Sequence, residues 1–181
     1  MTNHKTDYGT IVDEHTVRFE RVLPGPIARA WDYLTKPEML ATWLAGGVFE
    51  PRVGGQVELR FNNDDMPEDD RCGAISRGAV TRWEPMTAVA YTWSNSGWRA
   101  GVQESEVTFE LMPSDGDRTV RLVLTHRRLP RHEMPGFGAG WHTHLMVLDA
   151  RVRGTEPAPF VAHYQKLRPA YDRLVPAAAG G

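Results

Sequence analysis

A single cysteine, Cys72, stands among 181 residues, so the chain closes no internal disulfide and builds no metal site from several thiolates. An inert thiol is the expectation for it. Long apolar runs are missing as well: no stretch of about 18 consecutive apolar residues occurs, and no transmembrane helix is expected. The opening Met1-Thr2-Asn3-His4-Lys5-Thr6-Asp7 is polar and lacks the apolar centre of a secretion signal, so a cytoplasmic location is expected. Charge of one sign is scarce. There are 21 Lys and Arg against 23 Asp and Glu, for a formal net charge of −2. Arg127–Arg128 is the longest cationic run. A nucleic-acid binder gathers its cations on one face, so neither nucleic acid nor an anionic membrane is an expected partner. P-loop and Ser/His/Asp patterns are also absent. Gly136-Phe137-Gly138-Ala139-Gly140 follows a proline turn rather than a buried parallel strand, which argues against a dinucleotide loop. No cofactor is expected.

What is present is a globular composition, 41% hydrophobic and 24% charged. The length suits one domain. Residues 1–8 and 176–181 read as flexible ends, 9–154 as the body and 155–175 as a helical extension packing on it. The acidic, proline-bearing stretch Asn62–Arg71 reads as an exposed loop.

Thr10–Leu23 reads as one strand, with Val17, Phe19 and Leu23 at period two, ended by Pro24-Gly25-Pro26. Ile27, Trp31 and Leu34 recur at helical spacing. Thr35-Lys36-Pro37-Glu38 has the form of a capping box before Met39, Leu40, Trp43 and Leu44, and Gly46-Gly47 is expected to stop that second short helix. Five alternating segments follow: Val57/Leu59/Phe61, Ala79/Thr81/Trp83, Val89/Tyr91/Trp93, Val107/Phe109/Leu111 and Val120/Leu122/Leu124/His126. Short alternating strands with tight turns predict an antiparallel meander. Trp141, Leu145, Leu148 and Val152 then form one helical stripe, in a helix expected to start near Gly138. Tyr164, Leu167, Tyr171 and Leu174 repeat the spacing. The fold class is therefore α+β. An antiparallel sheet must cover its apolar face, and the long helix is the element of suitable length, so a curved sheet around that helix is expected, with the two short helices at one end.

The run from Phe19 to Leu44 resembles the opening of the START-like (SRPBCC) superfamily, in the branch named after the C-terminal domain of the activator of the Hsp90 ATPase. Val53-Gly54-Gly55-Gln56-Val57-Glu58-Leu59, Arg82-Trp83-Glu84-Pro85, Tyr91-Thr92-Trp93, Glu106-Val107-Thr108-Phe109, Leu124-Thr125-His126 and Gly140-Trp141 continue it in order. The resemblance spans about Thr10 to Val152. It implies a helix-grip fold with a ligand cavity between sheet and helix. It leaves the extension Pro157–Val175 unmatched, and the chaperone activator's N-terminal domain has no counterpart here, so a chaperone partner is not the leading expectation.

Seven histidines raise metal binding first. His142 and His144, two apart on a helix, point about 200° apart and cannot share an ion. His126 continues the inward phase of its strand and could approach His144 across the cavity, but a pair lacks the third ligand of a zinc site. Both suit satisfied core or rim positions, or polar groups that orient a ligand. Glu58, Arg60 and Glu106 fall on the opposite phase and are expected on a solvated face. Ligand contacts are expected from Trp31, Trp83, Tyr91, Trp93, Phe109, His126, Trp141, His144, Leu145 and Leu148, because aromatic walls with a few polar edges suit a flat, mostly apolar molecule. The leading expectation is binding or carriage of a small hydrophobic ligand without catalysis. The rival is a cyclase-like or aromatase-like enzyme of the kind START-like relatives include, with His126 and either Tyr91 or His144 moving protons. A third reading is a co-regulator of an Hsp90-type ATPase. A homodimer is an open alternative that the sequence does not decide.

Overall fold

A computed structural model describes residues 8–61 and 75–175. Cys72, the acidic stretch 62–71, residues 1–7 and the tail 176–181 lie outside the described residues. Eight strands make one antiparallel sheet: β1 (Thr10–Asp13), β2 (Thr16–Pro24), β3 (Gly46–Phe49), β4 (Gln56–Arg60), β5 (Ile75–Glu84), β6 (Ala88–Asn95), β7 (Ser105–Ser114) and β8 (Thr119–Arg127). Their order is β1-β2-β8-β7-β6-β5-β4-β3. Two short helices, α1 (Ile27–Thr35) and α2 (Pro37–Leu40), follow β2; α3 (Met134–Arg153) and α4 (Phe160–Leu174) follow the sheet.

Cross-strand register explains why one face is apolar. Phe19 pairs with Leu124, Leu124 with Phe109, and Phe109 with Val89, so every strand in this row turns the same phase inward. The α3 residues Trp141, Leu145, Leu148 and Val152 are buried in the same core as those strand residues. The expected α+β arrangement of a curved antiparallel sheet around a long C-terminal helix is the observed one.

Local departures have local causes. The expected single strand Thr10–Leu23 is a hairpin, because the Asp13 carboxylate accepts the His15 N–H at 2.7 Å and turns the chain there. The capping box does not form. Thr35 ends α1 and donates its hydroxyl to the Trp31 carbonyl at 2.8 Å, leaving Lys36 as the residue before α2 and Pro37 in its first turn. Gly46-Gly47 does not merely stop a helix but opens the edge strand β3. Gly47 has φ 147°, and a side chain there would meet the Glu58 carbonyl at 1.9 Å, so the close approach of β3 to β4 requires glycine. On β5 a register shift between Val80 and Arg82 turns the phase. Val80 and Trp83 face the core side while Thr81 is exposed, so Ala79, Thr81 and Trp83 do not share a face.

Helix α3 begins at Met134, a turn earlier than expected, with Pro135 in the first turn, where its missing N–H costs nothing. Among the glycines of this turn, α4 packs directly on Gly138: a methyl there would lie 2.4 Å from the Tyr171 ring. Gly138→Ala is therefore expected to destabilise by about 1–2 kcal/mol despite its better helix propensity, since overpacking outweighs propensity. Gly140→Ala, which meets nothing within 4 Å, should instead stabilise by about 0.5–1 kcal/mol. Urea midpoints of the two variants check the opposite signs.

Candidate ligand site between sheet and α3

The inward rings meet in one continuous set. Tyr91 stacks with Trp93 (centroids 6.4 Å apart, planes at 17°) and with Phe109 (6.1 Å). Trp141 of α3 meets Trp93 edge-on at 5.6 Å and Phe109 at 5.8 Å. At the α1 end, Trp31 lies 5.1 Å from Trp83, and Phe49 joins that pair to Tyr91. Leu145 and Leu148 belong to the same core. His144 sits half-buried at the rim, 6.2 Å from Trp141. All ten expected contact residues thus lie along the sheet–helix seam. Phe61, Phe137 and Phe160 join them: Phe61 lies 5.6 Å from Trp93, Phe137 5.0 Å from His126 and Phe160 4.6 Å from His144. Phe61 shares the Val57/Leu59 phase and was legible on that ground; Phe160 comes from the extension and gave no local signal.

His126 is fully buried, and its hydrogen bonds fix its tautomer. The Trp141 indole N–H can only donate, and does so to Nδ1 at 2.9 Å. Nε2 therefore carries the proton and donates to Ser105 Oγ at 2.8 Å. Ser105 in turn donates to the Trp93 carbonyl at 2.9 Å. Burial, with the nearby Arg128 charge adding to it, holds the ring neutral, its pKa lowered to about 3. The approach of His126 to His144 does not occur, because His144 donates from Nδ1 to the Trp43 carbonyl at 2.8 Å instead. Burial lowers its pKa to about 4. Ser105 was the missed member of the relay, and a polar residue on the Val107/Phe109 phase was its signal. Among the described residues no cluster of three His, Cys, Asp or Glu is placed to hold a metal.

Two other buried indole donors are satisfied: Trp93 Nε1 by Asn95 Oδ1 at 2.7 Å and Trp43 Nε1 by the Tyr33 carbonyl at 2.8 Å. Tyr91 differs. Its hydroxyl is buried, the residue 0% exposed, with no hydrogen-bond partner among the described residues. Burial raises its pKa above the ordinary tyrosine value, so it stays a neutral donor.

The strand carboxylates Glu58 and Glu106 lie on the sheet face opposite the aromatic seam, though less solvated than expected. Glu58 and Glu106 are only 8% and 7% exposed because arginines lie over them. Arg60 and Arg77 bind Glu58 at 2.7 and 3.0 Å, and their hydrogen bonds lower its pKa. For Glu106, desolvation pushes the pKa up, but hydrogen bonds from Arg127 and Thr81 outweigh it, and the net direction is down. A groove of about 350 Å³ between Thr81, Glu106, Thr108 and Arg127 lies on this face, opposite the aromatic seam.

An eight-stranded antiparallel sheet closed on a long helix, with two short helices after its first hairpin, defines a helix-grip domain of the START-like type. The chain belongs to the Activator of Hsp90 ATPase homolog 1-like protein family, whose model matches residues 24–153. It is similar to the solution structure of the protein encoded by gene BPP1335 from Bordetella parapertussis, at 35% identity and TM-score 0.71, over 93% of this chain and 90% of that one. CalU16 from Micromonospora echinospora shares the fold at 21% identity and TM-score 0.69, over 90% of this chain and 89% of that one. So does the Aha1 dimer from Colwellia psychrerythraea at 16% identity and TM-score 0.61, over 76% and 95%. Among curated proteins none matches this chain. No described helix is long and apolar enough to cross a membrane.

Proposed function

We propose that this chain binds and carries a small, uncharged, largely aromatic molecule between the sheet and α3, without catalysing a reaction on it. The observation that carries this reading is the unpartnered Tyr91 hydroxyl at the centre of an aromatic seam. A buried donor without a partner costs about 1–3 kcal/mol, and a ligand acceptor oxygen at that point removes the cost. Rings on both sides supply stacking surface. The neutral, fully engaged His126 orients Trp141 and Trp93 rather than moving protons, which supports a binding role over an acid–base one.

Tyr91→Phe separates the two consequences of that donor. Without ligand the variant should be more stable by about 1–2 kcal/mol, since the orphan group is gone. A naphthyl methyl ketone should bind it about tenfold more weakly than the native chain, a loss of about 1.4 kcal/mol, while naphthalene binds both alike. Thermal melts and quenching of indole fluorescence read both effects. Saturating ketone should raise native stability by about 2.7 kcal/mol at a hundredfold excess over Kd. The reading fails if no aromatic compound shifts the melt.

A further inference from the structure

The groove on the sheet face opposite the aromatic seam has ends of opposite charge. At one end Glu106 carries two arginines: Arg127 binds one carboxylate oxygen, and Arg128 lies 3.9 Å from the other. Two guanidinium groups on one carboxylate leave that end net positive. At the other end the ratio reverses, since Arg82 binds both Glu84 at 2.8 Å and Glu110 at 3.3 Å. Glu106 and Glu110 stand on the same strand, β7, about 13 Å apart at the rise of an extended chain, with Thr108 midway. Thr108 pairs with Ala90 on one side and Thr125 on the other, so small residues floor the space between the charged ends. Two further features set this face apart from an ordinary solvated one. Ala88 and Val123, the cross-strand partners of Glu110, are buried on it, outside the core that packs α3. Val22 and Met112, which flank Arg121 in the next row, are exposed apolar side chains.

We infer that this face is a two-fold interface between two copies of this chain. In a two-fold contact one patch meets itself, so residue i touching j is matched by j touching i. A positive end and a negative end on one patch are complementary under that operation. An axis crossing β7 at Thr108 lays the Arg127 and Arg128 end of one copy over the Glu84 and Glu110 end of the other, and does so twice. It also brings Ala90, Thr108 and Thr125 of both copies together at the axis, where small side chains permit close approach. A partner of single charge would match one end and be repelled by the other. A small ion would leave Val22 and Met112 uncovered, whereas a second copy of the sheet covers them.

The full chain, diluted from about 1 mM to about 10 μM, should pass from dimer to monomer by mass action, as read by sedimentation. Raising salt from about 50 to about 500 mM should weaken the dimer several-fold, because the cross-copy charge pairs are screened. In NMR spectra the amide resonances of Ala90, Thr108 and Thr125 should move with dilution while those of α4 stay in place. That reading needs no variant to fold. Glu110→Lys and Arg127→Glu each reverse one charge in both symmetric contacts, so each alone should weaken the dimer by about tenfold or more. An equimolar mixture of the two variants should recover it, since each contact of the mixed pair again joins opposite charges. A native chain that stays monomeric at about 1 mM, or amide shifts confined to another surface, overturns the inference. So does a Glu110→Lys variant that dimerises like the native chain, or a mixture of the two folded variants that fails to associate. The carrier role stands in each of these cases.

Discussion

Replacing Trp141 by alanine is expected to cost about 3–5 kcal/mol, the range for deleting a buried indole. Trp141 is the point at which α3 engages the sheet: its ring lies edge-on to both Trp93 and Phe109, and its N–H caps His126 Nδ1. Alanine leaves a cavity and an unpaired imidazole nitrogen in the same place. Against a total stability of about 5–15 kcal/mol, a measurable unfolded fraction follows. Trp141→Phe keeps most of the ring and loses the hydrogen bond, so it should cost about 1–3 kcal/mol. Urea unfolding of the three chains orders them native, Trp141→Phe, Trp141→Ala. Equal midpoints would mean that α3 does not depend on this ring.

Acid should weaken the fold well above the pH at which carboxylates titrate. Folding depresses the pKa of His126 to about 3 and of His144 to about 4, while an unfolded histidine titrates near 6.5. Below about pH 6.5 the unfolded chain binds two protons that the native chain refuses, so stability is full above that point and falls with pH. Both groups act down to about pH 4, and His126 alone between about 4 and 3. Each contributes about 1.4 kcal/mol per pH unit inside its window, giving a loss on the order of 2–4 kcal/mol by pH 5. Glu20, Glu58 and Glu106, whose pKa values arginine partners lower in the fold, add a loss of the same sign as pH falls through the ordinary carboxylate range. Urea melts between pH 8 and pH 5 test this. The slope should flatten in a variant carrying His126→Gln with His144→Asn, and a native chain with constant midpoints across the range would refute the assignment.

The apolar phases of β6, β7 and β8 were legible because Val89, Tyr91 and Trp93 alternate with residues of a convex face, and alternation is a local signal. The β5 phase was not, because the extra residue between Val80 and Arg82 flips alternation without changing composition. β3 was hidden for a related reason: Gly47 serves a close approach to Glu58 on another strand, and glycine at that position reads equally as a helix stop. The start of α3 was misplaced because Gly138 lowers helix propensity locally, while Tyr171, 33 positions away in the chain, decides its state. On β6, β7 and β8 the inward placement of Tyr91, Trp93, Phe109 and His126 followed from strand phase. The hydrogen-bond senses did not: that His126 faces Trp141 and Ser105, and that His144 faces the Trp43 carbonyl, depends on how separate elements pack.

Tyr171 carries a further consequence. Its hydroxyl accepts the backbone N–H of Gly9 at 2.8 Å, across 162 positions, and bonds the His142 ring at 3.0 Å. During vectorial synthesis the outermost hairpin therefore waits for residue 171 to emerge before it is fastened. A nascent chain stalled short of residue 171 would display an unsecured strand edge to chaperones and proteases, making the final helix the step that commits the newly made domain to its finished state.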